Sequence, residues 1–333
     1  MPGFELIDEK EKEAILSIFD NGAVLFRHGF DNLRNSKYEV EEFEKNFSSY
    51  IGNKYSLGLT SGTSALRVGL AAMDIKPGDE IITQSFTFVA TLEAIIESGG
   101  VPVIVEIDDN LDLDIESLKS KITDKTRCII PVHMLGGPSN MIEINKIAKK
   151  NNIFVMEDVA WGLGGSINKQ KLGSWGNIGS FSFDHAKAMT TGEGGMLTFK
   201  EENLFLKAKA YQDHGHENNP RLPRWEDSRT SSGFNYRMNE IQGAIGKVQL
   251  LKLDKLIEYQ NIQNKKMSEI VKNYGLRVRE PQFYITSFAV ENIVLIVYLW
   301  NNLNQNLIIT WYLSICSFII VMIKWRTIWR YLI

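Results

Sequence analysis

The sequence predicts an α/β protein with a mostly parallel sheet held between helices. Three observations carry this reading. Short apolar segments at residues 55–60, 80–83, 101–107, 126–132 and 153–156 alternate with segments of helical pattern, and that alternation builds βαβ units. These strands are short and apolar at their centres, as expected where helices cover both faces of a sheet. Small polar or acidic residues stand at strand ends (Ser61-Gly62-Thr63 after the first, Glu157-Asp158 at the last), and open parallel sheets collect ligands there.

Each element follows from local pattern. Residues 9–19 form a short amphipathic helix, and residues 39–51 another, with Val40, Phe43, Phe47 and Ile51 recurring at helical spacing. The strand at 55–60 runs into Ser61-Gly62-Thr63-Ser64, followed by a helix at 65–73. A strand, a small polar turn and a helix start aim unpaired N–H groups and the positive end of the helix dipole at one point, which favours a phosphate. The same turn also reads as plain N-capping by Thr63 or Ser64. Pro77-Gly78-Asp79 is a turn before the strand at 80–83. Residues 87–98 look helical, end at Gly99-Gly100, and carry Phe86 and Phe88 at their strand-to-helix corner. Helices at 115–121 and 141–151 separate the remaining strands, and a further helix is expected at 239–251.

The segment SFSFDHAKAMTTGEGGM, residues 180–196, holds one lysine, Lys187, between a short aromatic/serine strand and a glycine-rich turn. A lysine fixed at a strand mouth and partly desolvated suits a Schiff-base amine. Asp158, at a strand end about thirty residues earlier, is placed to present an acid to the same ligand.

Composition excludes several function classes. The chain has 333 residues, is 44% apolar and 23% charged, and carries a net charge of −3, so it has no electrostatic footprint for nucleic acid. Two distant cysteines, Cys128 and Cys316, support neither a disulfide framework nor a cysteine zinc site. His185, His214, His216 and Glu217 lack the tight pairing of a metal centre. The charged, amphipathic N-terminus has no signal-peptide pattern, and a cytoplasmic protein is expected.

Six ordered motifs now carry a resemblance: TSGTSAL, GDEIITQSFTFVAT, PVHMLGGP, MEDVAWGLGG, FSFDHAKAMTTGEGG and GFNYRMNEIQGAIG. From about residue 4 to 279 the chain resembles the sugar aminotransferases of the DegT/StrS type, which use pyridoxal 5'-phosphate (PLP) and have the aspartate-aminotransferase fold. The resemblance implies roles. Lys187 matches the lysine that holds the cofactor as a Schiff base and shuttles the proton. Asp158 matches the acid paired with the pyridinium nitrogen, which keeps the ring an electron sink. Phe88 matches the residue stacked on the ring, and Gly62, Thr63 and Ser182 match phosphate contacts. Asn235 matches an asparagine reaching the phosphate of the neighbouring subunit, which implies a homodimer with a shared site. Without the resemblance, Asn235 reads as a turn or capping residue before the helix at 239–251.

The implied reaction moves an amino group, commonly from glutamate, to a keto-sugar used in surface polysaccharide, lipopolysaccharide or antibiotic synthesis. The segment DHGHENNPRLPR and the tryptophan after EDVA resemble the subgroup that aminates an eight-carbon octulosonate. In that reading Arg221, Arg224 or Arg229 meets a substrate carboxylate, with Trp161 and His185 beside the substrate. Trp161 departs from the glutamine or histidine frequent at its position. A related branch of sugar dehydratases carries histidine where Lys187 stands. A third reading is a remnant that binds PLP without turnover.

The expected domains are an N-terminal segment (1–30), a PLP-binding large domain (31–255), the start of a small domain (256–280) and a hydrophobic tail (281–333). After Gly275 there is no glycine, and from Pro281 the charged residues are Glu291, Lys324, Arg326 and Arg330. The usual small domain is therefore expected to be missing or replaced. Residues 307–323 are an apolar run at the lower limit of the roughly 17–25 residues that cross a bilayer, so a membrane anchor is one reading. A reading-frame slip near residue 281 explains both the abrupt change of composition and the end of the resemblance.

Overall fold

The computed structural model describes residues 3–219, 221–229, 231–273 and 285–287; the rest of the tail lies outside the described residues. Its elements in chain order are α1 (Glu9–Asp20), α2 (Glu39–Ile51), β1 (Tyr55–Leu59), α3 (Gly62–Ala72), β2 (Glu80–Gln84), α4 (Val89–Glu97), β3 (Val101–Val105), α5 (Ile115–Lys121) and β4 (Thr126–Ile130). There follow α6 (Met141–Asn151), β5 (Phe154–Asp158), the hairpin β6 (Ser166–Ile167) and β7 (Gln170–Lys171), β8 (Ile178–Ser182), β9 (Gly195–Phe199), α7 (Glu202–Tyr211), α8 (Glu240–Asn273) and β10 (Ile285–Ser287).

The main sheet has the order β1-β9-β8-β5-β4-β2-β3. All its pairings are parallel except those of β9, which runs antiparallel to both β1 and β8. Consecutive strand residues point to opposite faces, and the core divides accordingly. Ile82, Ile129, Val155 and Met196 join one buried cluster with α2, α6 and α8. Their neighbours Ile81, Ile130, Met156 and Leu197 join the other, with α3 and α7. The alternation of Phe181, Ser182 and Phe183 has the same cause. Both phenylalanines pack against Phe47 of α2, with ring centroids 4.9 and 5.5 Å away, and Ser182 is left on the opposite face.

Several elements differ from the sequence expectation. Helix α3 begins at Gly62, three residues early, because Ser61 and not Thr63 or Ser64 is its N-cap. Helix α4 is shorter than expected at both ends, since Phe88 takes the cap position. Helix α8 runs to Asn273, far beyond residue 251, and passes uninterrupted through residues 255 and 256. The backbone of β10 pairs antiparallel with β6. Among the described residues no helix is long and apolar enough to cross a membrane; the apolar run at 307–323 lies outside them.

Candidate active site

Sheet register brings the strand ends together. Asp158 of β5 pairs with Ser180 of β8, Ser182 pairs with Gly195 of β9, and Gly195 pairs with Leu59 of β1. Thus Asp158, Ser182 and the turn into α3 lie along one edge of the sheet. Beyond Ser182 the chain continues to Lys187. Its N–H donates to the Asp184 carbonyl at 3.0 Å, and its carbonyl accepts from the Gly3 N–H at 2.8 Å. The turn behind it is closed by the Thr190 hydroxyl, which donates to the Phe183 carbonyl at 3.1 Å and accepts the Gly192 N–H at 2.9 Å. Gly192 sits at φ +81°, where a side chain would be strained.

The acid and the amine occupy one environment. Asp158 is 4% exposed. Its Oδ1 accepts from the Ala160 N–H at 3.1 Å, and its Oδ2 from the Thr91 hydroxyl at 3.0 Å. Burial raises its pKa; those two donors and the positive charge of Lys187 oppose the rise. The Lys187 Nζ lies 3.6 Å from the centroid of the Trp161 ring, a cation–π contact. Trp161 therefore holds the amine on its ring.

The start of α3 forms a second part. Ser61 Oγ accepts the Ser64 N–H at 3.0 Å, and Ser64 Oγ accepts the Ser61 N–H at 2.9 Å, a reciprocal cap. The N–H groups of Gly62 and Thr63 lie ahead of that cap in the first turn, where a helix has no acceptor of its own. A Cβ on Gly62 would lie 2.7 Å from Ser182 Cβ, and one on Gly195 would lie 2.2 Å from the Ser61 carbonyl oxygen. Only glycine at these positions lets the helix start settle on the end of β8. The donor set there fits a phosphate group: two N–H groups and the hydroxyls of Thr63 and Ser182. Phe88, 47% exposed, caps α4 one turn before Thr91, so the aromatic ring and the hydroxyl that holds Asp158 share one helix start. Lysine, buried acid, ring and phosphate donors together fit PLP.

The remaining sequence-expected residues lie elsewhere or have other partners. His185 stacks on Phe4 at 4.3 Å between centroids. Arg224 is committed to the fully buried Asp213, which also binds Arg237. Burial would raise the Asp213 carboxyl, but the two guanidiniums overcome this and hold it below the usual carboxylate range. Arg221 and Arg229 are exposed on the same loop. Asn235 is exposed, and its Oδ1 accepts the Arg237 N–H at 3.4 Å. Its neighbour Tyr236 accepts the Thr60 N–H at 3.1 Å, so this segment lies against the end of β1. His216 bonds Asp227 at 3.0 Å. No group of metal-binding residues is present among the described residues.

Three residues at the site were missed in the sequence. Thr91 was legible as the residue three positions after Phe88, on the same helical face. His133 and Glu157 are both fully buried. Glu157 turns to the face opposite Asp158, where it accepts the N–H groups of Gly173, Trp175 and Gly176 at 2.9, 2.7 and 2.8 Å and bonds His133 Nε2 at 3.1 Å. The His133 N–H in turn donates to the Asp158 carbonyl at 3.0 Å. The signal for this network was a second acid next to Asp158 on a strand, which period 2 sends the other way.

Comparison with known proteins identifies the family. Residues 28–282 match the model of the DegT/DnrJ/EryC1/StrS aminotransferase family. A GDP-perosamine synthase of Caulobacter vibrioides is 36% identical over 248 residues, covering 74% of this chain and 66% of that protein. The chain thus spans about two thirds of the length of such curated relatives. An aminotransferase from Psychrobacter cryohalolentis aligns with a TM-score of 0.76 at 32% identity, over 86% of this chain and 74% of that one. The Escherichia coli GDP-4-keto-6-deoxy-D-mannose-3-dehydratase, described with bound hydrated PLP, aligns with a TM-score of 0.75 at 28% identity, over 86% and 75%. By sequence and by fold, the chain belongs to the DegT/DnrJ/EryC1/StrS aminotransferase family.

Proposed function

We propose that the chain is a PLP-dependent aminotransferase that moves an amino group from an amino acid, glutamate by preference, to a nucleotide-linked keto-sugar for surface polysaccharide. The observation that carries this is the convergence of buried Asp158, half-buried Lys187, Ser182 and the α3 start at one end of the sheet. When bound, PLP supplies an electron sink for the carbanion at the amino-bearing carbon. Lys187 would hold the cofactor through its aldehyde and, once the incoming amine has freed its Nζ, would serve as the proton carrier of the site. Asp158 would keep the ring nitrogen protonated. Phe88 would lie against the ring, and Gly62, Thr63 and Ser182 would hold the phosphate. Asn235 would complete the phosphate site of a second copy, which makes the proposed working unit a homodimer.

For substrate, the relatives named as perosamine synthases favour a nucleotide sugar. The octulosonate reading needs an arginine for the substrate carboxylate. Arg224 is engaged by Asp213, which leaves Arg221 and Arg229 for that role. The dehydratase reading is disfavoured by Lys187, where that branch carries histidine.

The test is glutamate-dependent amination of a panel of GDP-, UDP- and dTDP-linked keto-sugars and of a keto-octulosonate, read by mass spectrometry. Amino-sugar formed by the PLP-loaded protein and lost in Lys187→Ala supports the reading. PLP binding with no amination across the panel favours the remnant.

A further inference from the structure

We propose that Thr91, itself oriented by Thr87, is the positioning residue that holds Asp158 as an ionised acceptor for the ring nitrogen of the cofactor; this rests on the cofactor reading above. Each carboxylate oxygen of Asp158 has one hydrogen-bond donor among the described residues. The Ala160 N–H serves Oδ1, and the Thr91 hydroxyl serves Oδ2. The first is backbone. The second is the one side-chain donor, on a residue 1% exposed.

The hydroxyl geometry fixes a direction. A charged carboxylate only accepts, so the Thr91 hydrogen points to Asp158. The Thr91 oxygen then accepts from Thr87 Oγ1, 2.8 Å away. The chain runs Thr87 to Thr91 to Asp158, and its last link is charge-assisted. Protonating Asp158 on Oδ2 would reverse both links and turn the Thr87 hydroxyl to its remaining protein acceptor among the described residues, the Phe88 carbonyl, at 3.4 Å. The reversed chain exchanges the charge-assisted link to Asp158 for a neutral one, so the pair favours the charged acid.

The other titratable groups acting on Asp158 are Lys187 beyond β8 and His133 after β4. Glu157 faces away, into its own set of donors. Lys187 is the group that the proposed reaction takes into a covalent bond. Thr91 is the side-chain donor that stays in place when it does.

The experiment uses Thr91→Val, which keeps the shape and removes the donor, with Thr91→Ser to restore it and Thr87→Val to unlink the chain. The Asp158 titration is followed by carboxyl carbon-13 NMR in the protein before PLP is added, with Asp158→Asn for assignment. Losing a bond to the charged form raises the midpoint, so Thr91→Val should move it up by about one unit or more. It should also weaken PLP binding by about tenfold or more. Thr91→Ser should return both to wild type, and Thr87→Val should shift both the same way by less. Thermal unfolding, matched across the variants, separates this from misfolding. A Thr91→Val protein with the wild-type midpoint and affinity, or a Thr91→Ser protein that behaves like Thr91→Val, overturns the proposal. If wild type takes up no PLP while the midpoint still shifts, the positioning of Asp158 is supported and the cofactor reading falls. If wild type binds PLP and Thr91→Val changes nothing, the positioning falls alone.

Discussion

Replacing Gly62 by alanine tests the contact that joins α3 to β8. The added Cβ would sit 2.7 Å from Ser182 Cβ, 3.1 Å from its Oγ and 3.3 Å from its Cα. Carbon atoms pack at about 3.5–4.0 Å, so the helix start must retreat from Ser182 by about 1 Å. Overpacking of this kind costs about 1–3 kcal/mol. Alanine recovers roughly 0.5–1 kcal/mol of backbone entropy over glycine in a helix. The net loss of stability is therefore modest, about 0–2.5 kcal/mol, and the protein should stay folded. The phosphate donors, in contrast, separate. Losing one hydrogen bond to a charged group is worth about 1.5–3 kcal/mol, or roughly 10- to 150-fold in binding. The assay compares PLP with pyridoxal, which lacks the phosphate. Gly62→Ala should bind PLP more weakly by that factor and bind pyridoxal as wild type does. Equal losses for both ligands, or none for either, would refute the phosphate role of the α3 start.

Four further outcomes are expected. PLP-loaded protein should show a near-visible band that borohydride abolishes, with the label on Lys187, and Lys187→Ala should neither take the label nor turn over. Light scattering should give a dimer; Asn235→Ala should weaken PLP binding, and mixing it with Lys187→Ala should restore part of the activity, whereas a monomer with full affinity would contradict the shared site. Phe47→Ala empties the centre of the aromatic cluster with Phe43, Phe181 and Phe183, and chemical denaturation should report a loss of about 3–5 kcal/mol. Burial and the neighbouring Arg27 hold the His28 pKa down to about 3, against about 6.5 unfolded, so the unfolded chain binds more protons between those values and stability falls as pH drops through that window; His28→Asn should flatten this slope.

What the sequence made legible was local. Val40, Phe43, Phe47 and Ile51 repeat at helical spacing, and each is at most 2% exposed. Asp158 and Lys187 could be placed because strand ends are marked by a change from apolar to polar residues. The start of α3 was read late, since Gly62, Thr63 and Ser64 are weak helix formers and their helical state depends on the Ser61 cap and on contact with Ser182. The second half of α8 was missed because NIQNKK interrupts the apolar pattern. Strand β9 was hidden in a glycine-led segment whose pairing with both β1 and β8 is long-range. No local pattern announces the ion pair of Arg34 with Glu240, which joins residues about two hundred positions apart.

Those long-range charges give the segment around Asn235 its place. Asp213 is fully buried and held by Arg224 from one part of its loop and Arg237 from another, with His28 at 3.6 Å from the N-terminal segment. Phe26 lies under both guanidiniums, 5.5 and 5.3 Å from the ring centroid. Residues 26–28 and 213–237 are thus tied into one unit, and the Arg237 backbone bridges to Leu59 at the end of β1. Breaking this centre leaves the mostly buried Arg237 guanidinium, and the partly exposed Arg224, without their carboxylate, a loss below the roughly 3–5 kcal/mol of a fully buried pair. Asp213→Asn should therefore loosen the segment that carries Asn235 before it disturbs Asp158, which sits on a different strand. In the proposed dimer, that variant should lose PLP affinity through the phosphate while the Asp158 titration stays as in wild type. A shift of the Asp158 midpoint in Asp213→Asn would show instead that the two regions are coupled within one copy.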